Sequence, residues 1–374
     1  MTQPDKQLVG TVGPVLIIGA GLIGGSIGMA LTRAGIEVYL RDISPTSLSL
    51  AQDLDAGIPW SERCEAPRLV IVATPPDVCA DFVLSALREF PCALVFDVSS
   101  VKKPVLDEVV AAAPQEASRY CSVHPMAGKE VSGVGAASPD LFEGRPWVVV
   151  ATPQTGAAAA RAAKTLGIDL GAFTLTLDGA AHDLAVAYVS HVPQLISSLM
   201  GGILTEASPE ALELAGSGLR DVTRIAASDP RLWNAILAGN QRALREVLEL
   251  FYARLGDLLR GLREETGDNT WNSAAVGAIN TVLTQGNAGV ARIPGKHGDA
   301  ASKYGVVTVV VPDEPGFLGR LFQEVGNAGV NVEDFRLEHA LGQARGLAWL
   351  YVEPSTQEAL QTHLRETGWS VVTL

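Results

Sequence analysis

One short motif near the start of the chain limits its fold more than any other feature. Gly19-Ala-Gly21-Leu-Ile-Gly24 directly follows the apolar run Val15–Ile18 and opens a segment with helical periodicity. Glycines at this spacing allow a tight turn, let the backbone approach a diphosphate, and let the helix pack close to the strand. The amides and dipole of the helix N-terminus then attract the phosphates. The motif therefore predicts a dinucleotide-binding βαβ unit.

The pattern that follows extends this unit into a larger sheet. Short apolar or β-branched runs alternate with helical segments at Val38–Leu40, Leu69–Val72, Leu94–Phe96, Arg119–Val123 and Trp147–Val150. Strands separated by helices imply crossover connections and a parallel sheet that is covered on both faces. We therefore predict that residues 1–174 form a doubly wound α/β domain of the Rossmann type.

The character of the chain changes near Leu175, where β-branched runs give way to long helical patterns. These patterns span Ala180–Leu204, Gln241–Arg263 and Thr270–Gln285. Pro193 predicts a kink or a local end of the first helix, because proline removes a backbone donor. Asp229 and Pro230 are typical of a helix start. We predict an all-α domain over residues 175–291.

The rest of the chain predicts a linker and a third domain. Residues 292–303 are polar and contain glycine, which is typical of a linker. Residues 304–374 follow the order strand, helix, strand, strand, helix, strand, which is the ferredoxin-like α+β arrangement.

The composition excludes several classes of partner. The 374 residues carry a formal net charge of −13, whereas nucleic acid and anionic membrane both require basic surface. The N-terminus has no signal-peptide pattern and no apolar run reaches the length of a membrane span, so we expect a cytoplasmic protein. The cysteines form no CxxC pair, so no metal site is predicted.

An acidic residue after the second predicted strand favours NAD as the cofactor. Asp42 lies 18 residues after Gly24, where a carboxylate accepts hydrogen bonds from the adenine ribose and repels a 2′-phosphate. The adjacent Arg41 favours NADP instead, and Asp42 as a loop cap is the alternative role. The predicted cofactor contacts are Gly19, Gly21, Leu22, Ile23, Gly24, Asp42, Thr74 and Ser99.

Three polar groups predict chemistry at the carboxyl edge of the sheet. Ser100 and His124 each follow a predicted strand on the edge where doubly wound sheets bind ligands. A neutral imidazole at cellular pH can accept a proton. Arg224 in the helical region has a side chain suited to bidentate carboxylate binding. Taken alone, Arg224 suits a helix ion pair with Asp221 at least as well.

Together these segments resemble the prephenate dehydrogenase family from Val15 to Gly289. The shared motifs are GxGxxGGS, DVSSVK, HPMAGKE, AHDLAVAYVSHVPQ and GLRDVTRIAASDPRLW. The resemblance implies a homodimeric enzyme that uses NAD for the oxidative decarboxylation of prephenate to 4-hydroxyphenylpyruvate, on the route to tyrosine. The helical domain would then hold the substrate and the dimer interface.

The resemblance also implies roles for individual residues. His124 accepts the proton of the substrate hydroxyl, and Ser100 holds His124, that hydroxyl and the nicotinamide in register. His182 lies nine residues before His191, so on an ideal helix the two point in roughly opposite directions, and we expect His182 to be a helix-start residue. Many relatives carry a second histidine where this chain has Gln194. The implied substrate contacts are Arg224, Glu130, His191, Ser217, Gly218 and Trp233.

The C-terminal segment resembles ACT domains, which pair across subunits and bind amino acids. Gly316 opens a helix whose amides can receive a carboxylate. We expect tyrosine to bind there and inhibit; a dimerisation module without ligand is the alternative. The predicted effector contacts are Asp313, Gly316, Phe317 and Asn331.

Three other functions compete with this one. An arogenate or cyclohexadienyl dehydrogenase acts on a substrate with an amino group in place of the keto oxygen. A two-domain hydroxy-acid dehydrogenase often uses a lysine base from its helical domain, but no lysine occurs between Lys164 and Lys296. A non-catalytic sensor of NAD and amino acids would leave His124 and Arg224 without a purpose.

Overall fold

The computed structural model describes residues 9–129, 131, 133–263, 273–294, 304–339 and 345–372. The chain divides into two compact units. The first extends to residue 202 and also includes residues 224–249, and the second includes residues 203–223 and the chain from residue 250 onward.

The first unit contains an eight-stranded sheet. Its strands are β1 (Val15–Ile18), β2 (Val38–Arg41), β3 (Ile58–Pro59), β4 (Leu69–Val72), β5 (Leu94–Asp97), β6 (Tyr120–Pro125), β7 (Pro146–Val150) and β8 (Phe173–Leu177). The order across the sheet is β3-β2-β1-β4-β5-β6-β7-β8. The strand order reverses between β1 and β4, which is where doubly wound sheets bind dinucleotides.

Most of the sheet is parallel, as predicted, but one edge is not. Strands β1 to β6 all pair in parallel. Strand β7 is antiparallel to β6, and β8 is parallel to β7. A parallel neighbour needs a crossover, usually a helix, whereas the described part of the β6–β7 connection contains only the 3₁₀ turn Val134–Ala136. The prediction of a wholly parallel sheet is therefore wrong at this edge.

Both faces of the central strands are buried. Ile17 and Ile71 pack on one face against Ile27 of the first helix. Leu16 and Val70 pack on the other face within a separate apolar cluster. Burial on both faces explains why these strands are unbroken apolar runs rather than alternating ones.

The helices connect and cover these strands and continue through the second unit. They are α1 (Leu22–Arg33), α2 (Pro45–Asp53), α3 (Pro76–Glu89), α4 (Lys103–Ala112), α5 (Ala157–Asp169), α6 (Gly179–Val186), α7 (Val192–Ile203), α8 (Pro209–Glu213), α9 (Ser217–Thr223), α10 (Pro230–Gly239), α11 (Gln241–Arg263), α12 (Ser273–Val290), α13 (Phe317–Asn327) and α14 (Pro354–Glu366).

The helical region follows the predicted pattern with one local change. Helix α11 has the predicted bounds, and Asp229 caps α10 by accepting a 2.9 Å hydrogen bond from the Arg231 amide. The interruption expected near Pro193 takes the form of a π-helical segment, Ala187–His191, which joins α6 to α7. Wider π-helical turns rotate the side chains that follow them relative to an ideal α-helix, and they are frequent at functional sites.

The predicted boundary at residue 174 falls inside a strand. Strand β8 pairs with β7 from Phe173 to Leu177, so the sheet extends beyond that residue. The strand was missed because it lies at the edge of the sheet and its side chains are mostly exposed, which leaves no apolar run to detect.

The second unit includes a four-stranded antiparallel sheet in the predicted βαββαβ order. Its strands are β9 (Gly305–Pro312), β10 (Val332–His339), β11 (Arg345–Val352) and β12 (Ser370–Val372). The order across the sheet is β10-β11-β9-β12, with α13 and α14 as the connecting helices. Val309 and Leu350 of the sheet are buried together with Leu321 and Leu360 of the helices. Residues 295–303 of the predicted linker lie outside the described residues.

One helical stretch, Gly179–Glu206, is long and apolar enough to span a membrane by length and composition. The apolar runs of the sequence predicted no span of this length, but the π-helical segment joins two shorter helices into one. The stretch carries the buried polar side chains His182, Asp183, His191 and Gln194. Each of these is hydrogen-bonded within the first unit, which is typical of a helix inside a folded domain.

Candidate active site

The glycine turn after β1 has no space for a side chain at Gly19 or Gly24 and is open at Gly21. Gly19 has a φ of 103°, which favours glycine over any other residue. A Cβ on Gly24 would lie 1.9 Å from the carbonyl oxygen of Gly19. A Cβ on Gly21 would meet nothing within 4 Å, so the space in front of the α1 N-terminus is open. This turn is therefore shaped for a group that approaches the backbone closely.

Asp42 links this turn to the end of β2. Its Oδ2 accepts a 2.6 Å hydrogen bond from the Ala20 amide, and its Oδ1 accepts one of 2.7 Å from the Ser44 amide. Asp42 therefore caps the backbone of its loop, as in the alternative role, but each carboxylate oxygen keeps a second lone pair for a ligand. Arg41 forms two hydrogen bonds with Glu89, at 2.7 and 2.8 Å, so the residue that favoured NADP is held by another carboxylate.

Two further residues were predicted to contact the cofactor. The Thr74 hydroxyl is buried beside the glycine turn and has no hydrogen-bond partner in the part of the chain that the structure describes. An orphan hydroxyl at this place fits a polar ligand such as a dinucleotide. The buried Ser99 hydroxyl instead lies 2.6 Å from Asp97 Oδ1 and 2.9 Å from the Val101 carbonyl oxygen. The Ser99 hydroxyl therefore faces the interior, and the contact of Ser99 with the cofactor stays a prediction.

A buried ion pair supports the loop that follows β5. Lys102 Nζ lies 2.6 Å from Asp97 Oδ1, and both side chains are fully buried. The ammonium group also donates to Ser122 Oγ and to the Val123 carbonyl, and Tyr120 donates to Asp97 Oδ2. Burial alone would raise the pKa of Asp97, but Lys102 and the hydrogen bonds outweigh it and hold the pKa below its usual value. The pair joins β5 to β6 beneath the predicted site.

His124 lies near the carboxyl end of β6, on the sheet edge that carries the glycine turn. Strands β1 and β6 are three positions apart, or about 14 Å at the usual strand spacing. Burial lowers the pKa of His124 well below its usual value, and the nearby His182, Lys102 and His191 lower it further. The ring is therefore neutral at cellular pH and can accept a proton.

The side-chain partner of His124 is His182, which was not predicted to lie at the site. Nδ1 of His124 lies 2.8 Å from Nε2 of His182, and Nδ1 of His182 lies 2.8 Å from Oδ1 of Asp183. No hydrogen bond joins Ser100 to His124 in the described residues. His182 lies in the first turn of α6, as predicted, and in addition contacts His124.

His182 contacts His124 directly, and His191 on the same helical stretch lowers the pKa of His124 further. The π-helical segment between them breaks the 100° step on which the opposite-face prediction rested. The sequence feature that could have indicated the contact with His124 was the His182–Asp183 pair, two polar residues inside an otherwise apolar helix.

His191 is held by an amide from the α10–α11 junction. The Asn240 side-chain nitrogen donates to the Asp183 carbonyl at 2.8 Å and lies 3.0 Å from His191 Nδ1. Burial lowers the pKa of His191 to about 4, with Asp183 opposing and His182 adding to the shift. The Trp233 ring meets the His191 ring edge-to-face, with centroids 6.2 Å apart. The predicted residues His191 and Trp233 are thus together.

Arg224 lies in a 3₁₀ turn, Arg224–Ala226, that α7 holds in place. The buried Gln194 donates a 2.8 Å hydrogen bond from Nε2 to the Ile225 carbonyl. The Arg224 side chain itself is exposed. Gln194 therefore holds the backbone that carries the predicted carboxylate ligand.

The other predicted substrate contacts are only partly described. Glu130 lies outside the described residues. Ser217 and Gly218 begin α9, which belongs to the second unit.

The predicted effector residues lie at both ends of the C-terminal sheet: Asp313 and Gly316 follow the end of β9, and Asn331 precedes the start of β10 at the opposite end. Gly316 has a φ of 82° and precedes α13, and Asn331 donates a 2.8 Å hydrogen bond to Glu333. An open cavity of about 560 Å³ is lined by Phe317, Arg320, Gln323, Glu324, Arg345 and Trp369, among others. Of the four predicted residues, Asp313, Gly316, Phe317 and Asn331, this cavity includes only Phe317.

Family models match most of the first three-quarters of the chain. Residues 27–174 match the model described as prephenate dehydrogenase, nucleotide-binding domain. Residues 178–273 match the model described as prephenate dehydrogenase, dimerization domain.

Individual proteins give the same result. The protein named probable prephenate dehydrogenase NovF from Streptomyces niveus is 33% identical over 356 residues, which cover 95% of this chain and 98% of that one. A crystal structure of Aquifex aeolicus prephenate dehydrogenase with hydroxyphenyl propionate and NAD+ has a TM-score of 0.64 at 26% identity, covering 74% of this chain and 98% of that one. A Synechocystis arogenate dehydrogenase has a TM-score of 0.61 at 25% identity, with the same coverage.

Proposed function

The chain belongs to the prephenate dehydrogenase family, and we propose that it catalyses the NAD-dependent oxidative decarboxylation of prephenate to 4-hydroxyphenylpyruvate. The observation that carries the proposal is a neutral, half-buried His124 on the same sheet edge as an open glycine turn. An imidazole in that state accepts a hydroxyl proton at cellular pH.

The glycine turn, Asp42 and Thr74 would hold NAD, and bound NAD+ supplies the acceptor for a hydride from the substrate. His124 takes the proton of the ring hydroxyl while the C–O bond gains double-bond character. The bond to the ring carboxylate then breaks, its electron pair makes the ring aromatic, and carbon dioxide leaves. His124 returns the proton to the phenolate oxygen, so the histidine ends the cycle neutral.

Cationic and polar groups would orient the substrate. Prephenate carries two carboxylates, and Arg224 offers the planar guanidinium that binds a carboxylate through two hydrogen bonds. Asn240 donates to Nδ1 of His191, so His191 carries its proton on Nε2 and can donate there. We propose that Ser100 contacts the substrate hydroxyl from the loop after β5 and that Trp233, beside His191, lines the substrate pocket.

Arogenate is the second candidate substrate. The fold is shared with a Synechocystis arogenate dehydrogenase, and arogenate carries an amino group where prephenate has a keto oxygen. The two reactions need the same proton acceptor and the same hydride acceptor. NADH formation should therefore be measured with prephenate and arogenate, each with NAD and NADP. A faster reaction of prephenate with NAD supports the proposal, and no NADH from either substrate supports a non-catalytic sensor.

Replacing the proposed proton acceptor tests the mechanism. His124→Asn should keep substrate binding but lose about 10²- to 10⁴-fold in kcat, which is what general acid–base catalysis contributes. His363→Asn is the matched control, because His363 lies in the second unit, 3.3 Å from Glu324. Near-normal turnover by His124→Asn would refute the assignment.

Arg224 should act on binding rather than on turnover. Arg224→Gln removes a charge-assisted contact, so we expect KM for prephenate to rise about tenfold or more, with kcat changed much less, from a loss of about 1.5–3 kcal/mol. Arg231→Gln on α10, which is also exposed, is the control and should leave KM unchanged. A fall in kcat at unchanged KM would contradict this role.

We also propose a homodimer in the cytoplasm. Apolar side chains are solvent-exposed along α11 and α12 of the second unit, among them Phe251, Leu255, Leu259, Ile279 and Leu283. An exposed apolar surface of this kind is typical of a subunit interface. The family model over residues 178–273 is described as a dimerization domain, which supports the same assignment.

The βαββαβ segment is proposed to be an ACT domain that binds tyrosine. Gly316 opens α13, whose first amides can accept a carboxylate. Arg320 lies over the Phe317 ring, 4.2 Å from its centroid, so cationic and aromatic groups occur together beside the neighbouring cavity.

A further inference from the structure

A chain of hydrogen bonds extends inward from His124 to the backbone at the start of α4. Nδ1 of His124 lies 2.8 Å from Nε2 of His182, whose Nδ1 lies 2.8 Å from Oδ1 of Asp183. The Asp183 carboxylate accepts hydrogen bonds from the amides of Lys102 at 2.8 Å and Lys103 at 2.9 Å. His182 is 1% exposed and Asp183 is 5% exposed, so water does not compete with these bonds.

The partners fix the direction of every hydrogen bond in this chain. An ionised carboxylate only accepts, and both Asp183 oxygens already accept backbone amides, so His182 donates from Nδ1. A neutral His182 therefore has a lone pair on Nε2 and accepts from Nδ1 of His124. His124, also neutral, then carries its lone pair on Nε2.

We propose that His182, held by Asp183, is the positioning residue that fixes His124 in the tautomer whose Nε2 accepts the substrate proton. This inference rests on the proposed function. In the other tautomer the Nε2 atom would carry hydrogen and could not act as a base. In this proposal His124 contacts the substrate, and His182 and Asp183 determine which ring nitrogen of His124 carries the proton.

An imidazole between His124 and the carboxylate also keeps His124 neutral. A carboxylate in direct contact with a histidine stabilises the charged ring and raises its pKa. Burial lowers the pKa of His182, and the hydrogen bond to Asp183 opposes that shift. His182 therefore orients the His124 ring without placing a full negative charge next to it. Lys102 beneath β6 and His191 on the same helical stretch are the other charged or titratable groups near His124, and both disfavour its protonation.

The far end of the chain is anchored from two other elements. The Asp183 carbonyl accepts a 2.8 Å hydrogen bond from Asn240 at the start of α11, while its side chain bridges the two amides at the start of α4. A buried polar network in which all members have partners holds one geometry, because each alternative leaves a buried group unsatisfied. His182 therefore has one favoured ring orientation.

The tautomer of His124 can be measured directly in the full-length protein. In ¹⁵N-labelled wild-type protein without ligands we expect His124 to show a protonated Nδ1 and an unprotonated Nε2, with its signals assigned by their loss in His124→Asn. His182→Leu removes the acceptor and should abolish this preference. His182→Gln places an amide oxygen where Nε2 was and should keep it. His363→Gln, in the second unit, is the control and should change neither signal.

The value of kcat in each variant should change with the tautomer of His124. We expect kcat to fall about 10²-fold or more in His182→Leu and in Asp183→Asn, since a base in the wrong protonation state gives up most of its contribution. KM should change less than threefold, and His182→Gln should retain kcat within about tenfold, on the same reasoning. A purely structural role predicts equal losses for His182→Gln and His182→Leu.

Two results would overturn the proposal. One is wild-type His124 with its proton on Nε2, and the other is a His182→Leu protein that keeps both the tautomer and kcat. If His182→Leu does not fold, the signals of His182→Gln decide, because loss of the Nδ1-protonated tautomer in that variant also contradicts the proposal. Absence of turnover with every substrate would refute the proposed function alone, since the tautomer is measured without substrate.

Discussion

At the scale of single residues, His124, His182 and His191 have different partners and therefore different proton positions. His124 and His182 share one hydrogen bond, and His191 receives one from the Asn240 amide. The Asn240 nitrogen also donates to a carbonyl, which can only accept, so the orientation of that amide is determined. His191 therefore presents a donor at Nε2, whereas His124 presents an acceptor. One cluster of histidines thus contains both a ring nitrogen that accepts and a ring nitrogen that donates.

The lowered pKa of His191 predicts a loss of stability in acid. The folded protein keeps His191 neutral down to about pH 4, whereas the unfolded chain binds a proton near pH 6.5. Between these values the unfolded state binds more protons, so the free energy of unfolding falls as pH falls. By pH 4.5 the loss from this residue should be about 2–3 kcal/mol.

Urea unfolding at pH 7.5 and pH 4.5 measures this effect. His191→Gln removes the titration and keeps an acceptor for Asn240, so its free energy of unfolding should fall less than that of the wild type between the two pH values. Equal falls in the two proteins would show that His191 is not responsible.

At the scale of elements, the glycine turn and the π-helical segment each change the geometry of a regular element at the site. The turn lets α1 begin directly against the end of β1, where Gly24 fits beneath the Gly19 carbonyl. The π-helical segment rotates His191 relative to His182. Both are departures from ideal geometry, and such departures are common at functional sites.

Alanine substitutions at two glycines of the turn should impair the protein for different reasons, one through stability and the other through cofactor binding. Gly24→Ala places a Cβ 1.9 Å from the Gly19 oxygen, so we expect a loss of about 3 kcal/mol in stability, at the upper end for overpacking. Gly21→Ala meets no atom within 4 Å and should fold normally, yet its methyl group would occupy the space for the diphosphate.

Thermal melting and NAD titration separate the two variants. Gly24→Ala should melt at a lower temperature, and Gly21→Ala should melt like the wild type but bind NAD at least tenfold more weakly. Tight NAD binding by Gly21→Ala would contradict the assignment of this turn to the cofactor.

At the scale of the whole molecule, the two family models and the C-terminal sheet occupy different parts of the chain. The models end at residue 273, and the Aquifex aeolicus structure covers 74% of this chain but 98% of its own. A relative therefore folds with little beyond the first two predicted domains. The C-terminal sheet has its own buried core, and we propose that it has a separate role.

Truncation tests that role. A protein ending at Arg292 should turn over prephenate, because the proposed catalytic residues all precede that point. L-tyrosine should inhibit the full-length enzyme and have much less effect on the truncated one. Equal inhibition of both proteins in steady-state assays would place the tyrosine effect outside the C-terminal domain.

The sequence by itself was sufficient for features that depend on neighbouring residues. Apolar runs located the central strands, the glycine spacing located the turn after β1, and a cap with proline located the start of α10. Placing His124 at the carboxyl edge needed only its position after a strand. These properties follow from backbone sterics and periodicity, which act over a few residues.

Only the tertiary structure decided which side chains meet. His124 and His182 are 58 positions apart, and Lys102 and Asp183 are 81 positions apart, so no local pattern reveals either contact. The antiparallel pairing of β7 with β6 and the hydrogen bond from Gln194 to the Ile225 carbonyl likewise depend on residues that are distant in sequence. Such contacts form because buried polar groups must find partners wherever the packed fold places them, and that need is not written in local sequence.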